Sequence, residues 1–102
     1  MERVEQVANI AIYYQKNKNE NTEQSVLRVN NLINQLENHH TVRGVFLDNY
    51  NSSTELMEFL NSPLSELDYI YINKPFDNEF DKELIIQLSR AEKFKIKYFD
   101  EA

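Results

Sequence analysis

The sequence predicts an α/β domain: a three-layer α/β/α sandwich around a mostly parallel four-stranded sheet in the order β-α-β-α-β-α-β. Three observations carry this. Short apolar runs alternate with segments of helical periodicity along all 102 residues. The first of those runs is apolar on both faces, as a strand covered from both sides must be. The segments between strands are long enough for crossover helices, which favour parallel pairing.

Val7–Tyr14 supplies that first strand, rich in β-branched and aromatic residues. The polar run Gln15–Asn21 breaks it. A helix follows over Thr22–Glu37, with Val26, Val29, Ile33 and Leu36 at helical spacing. Asn21 is placed to cap it, with Gln24 as the reciprocal partner of a capping box. Asn38, His39 and His40 are expected to end it. Val42–Leu47 reads as the second strand, closed by Asp48-Asn49-Tyr50-Asn51. Ser52 and Glu55 suggest a second capping box before a short helix with Leu56, Phe59 and Leu60 on one face. Asn61-Ser62-Pro63 stops it. Tyr69–Ile72 is the third strand, and its two tyrosines read most simply as core. Phe80, Leu84, Leu88 and Ala91 mark a third helix. Phe94–Tyr98 alternates as a strand whose Lys95 and Lys97 suit an edge that must not pair with other chains.

Composition excludes several chemistries. The chain has one glycine, Gly44, and no cysteine. Dinucleotide fingerprints and P-loops need more glycine than that. Zinc ribbons, thiol nucleophiles, iron–sulfur clusters and disulfides need cysteine. The amino terminus is charged, without the apolar core of a signal peptide, and no stretch reaches the length of a membrane span. A cytoplasmic protein forming one domain over 1–102 is expected. Net charge is −6. Residues 1–47 carry five acids and five bases, while residues 48–102 carry twelve acids and six bases. The sign is wrong for generic affinity to a phosphate backbone.

In parallel sheets ligands bind beyond the carboxyl ends of the strands, here the loops Gln15–Asn21, Asp48–Ser53 and Asn73–Asn78. Ser52 and Ser53 lack a nearby histidine base and are better explained as helix caps. Asp48 and Asp77 form at most a sparse acidic cluster. His39 and His40 point different ways on a helix and read as a polar helix end. No metal site and no cofactor is expected.

The order of these segments resembles the amino-terminal catalytic domain of the serine recombinases, the resolvases and invertases. Ile12-Tyr13-Tyr14-Gln15-Lys16-Asn17 stands where that family has a strand ending Ile-Tyr-x-Arg-x-Ser. Glu23-Gln24-Ser25-Val26-Leu27-Arg28-Val29 resembles its helix motif Glu-Gln-Ser-x-x-x-Gln. Val42-Arg43-Gly44-Val45-Phe46-Leu47-Asp48 resembles its strand Val-x-Gly-Val-Tyr-x-Asp. Lys74-Pro75-Phe76-Asp77-Asn78-Glu79-Phe80 stands at its loop Lys-x-Asp-Arg-x-x-Arg, and Asp100-Glu101 matches an Asp-Glu near the end of its last strand. Gly44 falls where the family carries a strand glycine, expected to permit close backbone approach. The glycines of the family's next loop are replaced by Tyr50 and Ser53.

The resemblance implies a scaffold for cleaving DNA with a serine hydroxyl, with arginine forks on the phosphoryl transition state. The sequence departs from that chemistry at most of the positions that carry it. Gln15 replaces an arginine and Asn17 the nucleophile; aligned from the helix side, Glu20 takes the nucleophile position instead. Phe76 replaces an aspartate, while Asp77 and Phe80 replace arginines. Asp48 and Lys74 are kept. The chain ends at Ala102, about where the family's dimer helix begins, without its helix-turn-helix DNA reader. A vestigial site at Gln15, Asn17, Asp48, Lys74, Phe76, Asp77 and Phe80 is therefore expected, with no catalysis. The function this implies is a protein-interaction or regulatory module linked to a prophage or mobile element. Its partner is expected to be a recombinase or another DNA-binding protein, with homo-oligomers as a further option and no membrane or direct nucleic-acid binding. The alternatives are a DNA-recombination accessory factor and, third, a metal-assisted phosphate-handling enzyme using Asp48, Lys74 and Asp77.

Overall fold

The structure, a computed structural model, describes residues 7–36, 39–76 and 78–99. Four strands form one sheet: β1 (Ala8–Gln15), β2 (His40–Asp48), β3 (Tyr69–Ile72) and β4 (Lys95–Tyr98). The helices are α1 (Thr22–Leu36), α2 (Thr54–Leu60) and α3 (Glu79–Glu92), with a 3₁₀ turn at Leu64–Glu66. Every strand pair is parallel and the strand order is β2-β1-β3-β4. This is the expected three-layer α/β sandwich. No helix among the described residues is long and apolar enough to cross a membrane.

β1 lies inside the sheet, and Ile10 to Tyr14 are at most 2% exposed. Its alternation divides the core. Ile10, Ile12 and Tyr14 pack with Val29 and Leu32 of α1 on one face. Ala11 and Tyr13 turn the other way, towards Leu56 and Phe59 of α2, Ile85 of α3, and Ile70 and Ile72 of β3. Each isoleucine sealed in this way contributes about 1.5–3 kcal/mol of apolar burial.

The Asn21 capping box forms as read: Gln24 N donates to Asn21 Oδ1 at 2.8 Å and Asn21 N donates to Gln24 Oε1 at 3.3 Å. Other local readings need correction. His40 does not end α1 but opens β2, its Nδ1 lying 3.2 Å from the Leu36 carbonyl. On α1, Val29, Ile33 and Leu36 pack on the core as expected, joined by Ser25 and Leu32, but Val26 is 44% exposed. α3 turns Ile85 inwards, whereas Phe80, placed on the apolar stripe, is 71% exposed and Ala91 is also exposed. Tyr69 and Tyr71 are only half-buried, beside Ile10 and Ile12 on the α1 face. Lys97 Nζ sits 4.4 Å from the Tyr69 ring centre, a cation–π contact.

Gly44 follows a β-bulge. Ile10 pairs with Val42 and Ala11 with Gly44, leaving Arg43 as the extra residue. A Cβ at Gly44 would stand 3.0 Å from Cε1 of Phe46. The neighbour that uses the space is thus an aromatic ring rather than backbone. With glycine so scarce, the left-handed positions among the described residues fall to Asn19, Asn51 and Lys93. Asparagine tolerates that conformation best among the non-glycine residues.

Candidate functional site

The strand ends converge as the topology requires. β1 delivers Gln15, β2 delivers Asp48 and β3 leads into Asn73, with two hydrogen-bonded knots between them.

Asp48 forms the first knot. It is 2% exposed, and its carboxylate accepts from Tyr13 Oη at 2.7 Å, Glu55 N at 2.8 Å and Leu56 N at 3.1 Å. The two backbone donors are orphans of the first turn of α2, so Asp48 caps that helix from the preceding strand. The capping assigned to Ser52 and Ser53 is therefore corrected. Ser53 precedes α2 without a side-chain cap bond and donates instead to Asp81 Oδ2 at 3.2 Å, and Ser52 Oγ is a distant 3.4 Å from Thr54 N. Burial, and then the Asp48 carboxylate, push the Tyr13 phenol far above its ordinary pKa.

Glu20 forms the second knot. Oε2 accepts from Tyr14 Oη at 2.5 Å and Ser25 Oγ at 2.8 Å; Oε1 accepts from Asn17 N at 2.8 Å and Asn17 Nδ2 at 3.1 Å. Burial alone would raise the Glu20 pKa. The bonds from Tyr14, Asn17 and Ser25, with the Arg28 charge, outweigh it and hold the carboxyl below its ordinary value. Burial and the Glu20 bond push Tyr14 up to about 12 against the opposing pull of Arg28, whose Nη1 is 3.3 Å from the phenol oxygen.

The vestigial positions divide between these knots and the core. Gln15 N donates to Asn73 Oδ1 at 2.9 Å, its carbonyl accepts from Asn73 Nδ2 at 3.0 Å, and its Nε2 donates to the Ser52 carbonyl at 3.0 Å. Asn17 accepts from Lys74 Nζ at 2.7 Å. Phe76 is partly buried and packs against the core, its ring tilted against that of Tyr13 with centres 5.5 Å apart. Phe80 is solvent-exposed on α3. Asp77 lies outside the described residues, as do Asp100 and Glu101. Gln15, Asn17, Asp48, Lys74 and Phe76 are brought to one end of the sheet.

The reading of the sequence missed Tyr13, Tyr14, Ser25 and Asn73 as members of this network. Tyrosines at the carboxyl end of a central strand are the available signal, since their hydroxyls need a polar partner when buried. The remaining crevice, whose lining includes Gln15, Tyr50, Ser53, Phe76, Asn78 and Asp81, has a volume of about 80 Å³. Small-molecule sites usually measure roughly 300–1,000 Å³. Among the described residues no three His, Asp or Glu side chains converge as a metal would need. Compared with known proteins, the chain matches no protein-family model and no curated protein sequence.

Proposed function

We propose that this chain is a catalytically inactive serine-recombinase-like domain that works as a protein-interaction or regulatory module, in the setting of a prophage or mobile element. The observation that carries this reading is the self-satisfied crevice. Phosphoryl transfer needs charge aimed at a substrate. Here the carboxylate of Asp48 is engaged by Tyr13 and the α2 backbone, that of Glu20 by Tyr14, Asn17 and Ser25, and the Lys74 ammonium donates to the Asn17 amide. Neither Gln15 nor Asn17, at the resemblance's arginine and nucleophile positions, offers a guanidinium or a hydroxyl.

The acidic half, residues 48–102, complements the basic surface of a recombinase or another DNA-binding protein. Two measurements test the reading. Incubated with supercoiled plasmid and Mg²⁺, the chain is expected to leave the DNA intact; nicking that disappears in Asp48→Asn would overturn it. Affinity capture from the native host is expected to recover a basic DNA-associated protein, released by salt; recovery of no partner would count against it.

A further inference from the structure

The two edges of the sheet are finished in opposite ways. β4 is four residues long and carries the exposed Lys95 and Lys97, which discourage further pairing. β2, at the other edge, is nine residues long, and no described strand pairs with its outer side. It carries no lysine and no proline. Its one irregularity, the bulge at Arg43, lies in its first half, so Gly44–Asp48 continues as regular strand.

Beside that segment runs a mainly apolar groove of about 250 Å³ between α1 and β2, lined by Val26, Val29, Ile33, Val45 and Leu47 with one polar residue, Asn30. Val26 is 44% exposed and Val45 42%. No charged residue lines it, and of the two charged residues of β2, Arg43 is turned to Glu66, 2.9 Å away, and Asp48 is buried under the α2 cap. An unpaired strand with an unfilled apolar groove alongside it is a template for strand addition.

We infer that this edge is a homodimer interface, in which β2 of one copy pairs antiparallel with β2 of a second copy of the chain. The occupant follows from symmetry and charge. A two-fold axis at Phe46 sets Gly44 opposite the partner's Asp48 and Val45 opposite the partner's Leu47. Both apolar side chains then lie on the α1 face, so the two grooves meet and close over Val26 and Ile33 of each copy. Such an isologous contact uses the same patch twice. The net charge of −6 that two copies must bring together derives wholly from residues 48–102, whereas residues 1–47, which supply α1 and nearly all of β2, are neutral. α1 and β2 themselves carry Glu23 and Asp48 against Arg28 and Arg43, so the side that they form is balanced in charge and is the one on which a like-charged copy can approach. The product is a continuous eight-stranded sheet ending in β4 at both extremities.

This inference does not rest on the functional reading above, and either can fail alone. Sedimentation velocity from about 10 to about 500 μM, the range of weak homodimers, tests it at about 0.15 M salt. The wild type is expected to shift with concentration from 12.2 kDa to twice that mass. Val45→Lys and Val26→Glu are each expected to raise the dimer Kd at least about tenfold while the far-ultraviolet circular dichroism is unchanged. A wild type that stays monomeric throughout, or a dimer indifferent to both substitutions, overturns the inference. Should Val45→Lys fail to fold, Val26→Glu and hydrogen exchange decide. The Val45 and Leu47 amides point away from β1, so their protection must rise with protein concentration, and unchanged protection there overturns the pairing.

Discussion

At the scale of single residues, Asp48 separates a structural role from a catalytic one. A carboxylate poised for chemistry is a strained, partly unsatisfied group, and its removal commonly leaves stability unchanged or raised. Asp48 is buried and holds three donors at 2.7–3.1 Å. Replacement by alanine removes a helix cap, about 1 kcal/mol, and strands the Tyr13 hydroxyl in the core, about 1–3 kcal/mol. Asp48→Ala is therefore expected to lower the unfolding free energy by about 2–4 kcal/mol in urea denaturation, with Asp48→Asn intermediate. No loss of stability would return Asp48 to the list of functional acids. Lys93 offers a second residue-scale check. It closes α3 at φ 66°, a left-handed position where a lysine Cβ is crowded. Lys93→Gly should raise the melting temperature, by a gain of up to about 1 kcal/mol. An unchanged or lower melting temperature would show that the cap is not strained.

At the scale of elements, the loop from β1 to α1 is held by one ionised group. The Glu20 pKa in the fold lies below its ordinary value of 4.5. A depressed carboxylate adds stability that is present above the unfolded pKa and is lost as pH falls through the folded one. Urea midpoints should accordingly fall as pH is lowered below the ordinary value of 4.5, and Glu20→Gln should flatten that slope. An identical slope in the variant would show that Glu20 does not hold the loop. Tyr14 works in the opposite sense. Its pKa is raised to about 12, so its contribution is complete below about pH 10 and is lost as pH rises through about 12.

The same loop shows what the sequence could and could not disclose. Strand β1, the α2 face and the Asn21–Gln24 box depend on neighbours within a few residues, and were readable as pattern. The α1 face is legible at Val29, Ile33 and Leu36 but not at Ser25, which is fully buried against Glu20 while hydropathy takes a serine for a surface residue. Spacing alone puts Phe80 on the apolar stripe, but it lies in the first turn beside the Asn78 cap and is 71% exposed, while Ile85 a turn later is buried. The strand ends were legible as the place to search. The pairings there were not, since Tyr13 meets Asp48 across 35 residues and Gln15 meets Asn73 across 58.

At the scale of the whole molecule, the sheet's edges decide how copies of the chain meet. Parallel strand order leaves two edges, and a sheet of four strands cannot close on itself. Only β4 carries lysines, and they lie at alternate positions on one face, opposite Tyr69 and Tyr71 of β3. If those lysines are what keeps that edge solitary, removing them opens a second pairing site on a molecule that already has one at β2. Two open edges per copy make the association unlimited rather than closed. The variant with both Lys95→Thr and Lys97→Thr is therefore expected to form species larger than a dimer, growing with concentration in light scattering. Val45→Lys added to it should cap growth at two copies joined through β4. Growth that persists despite Val45→Lys would place the association elsewhere on the surface. A doubly substituted chain no larger than the wild type would show that β4 is kept solitary by its short length of four residues, not by its charge.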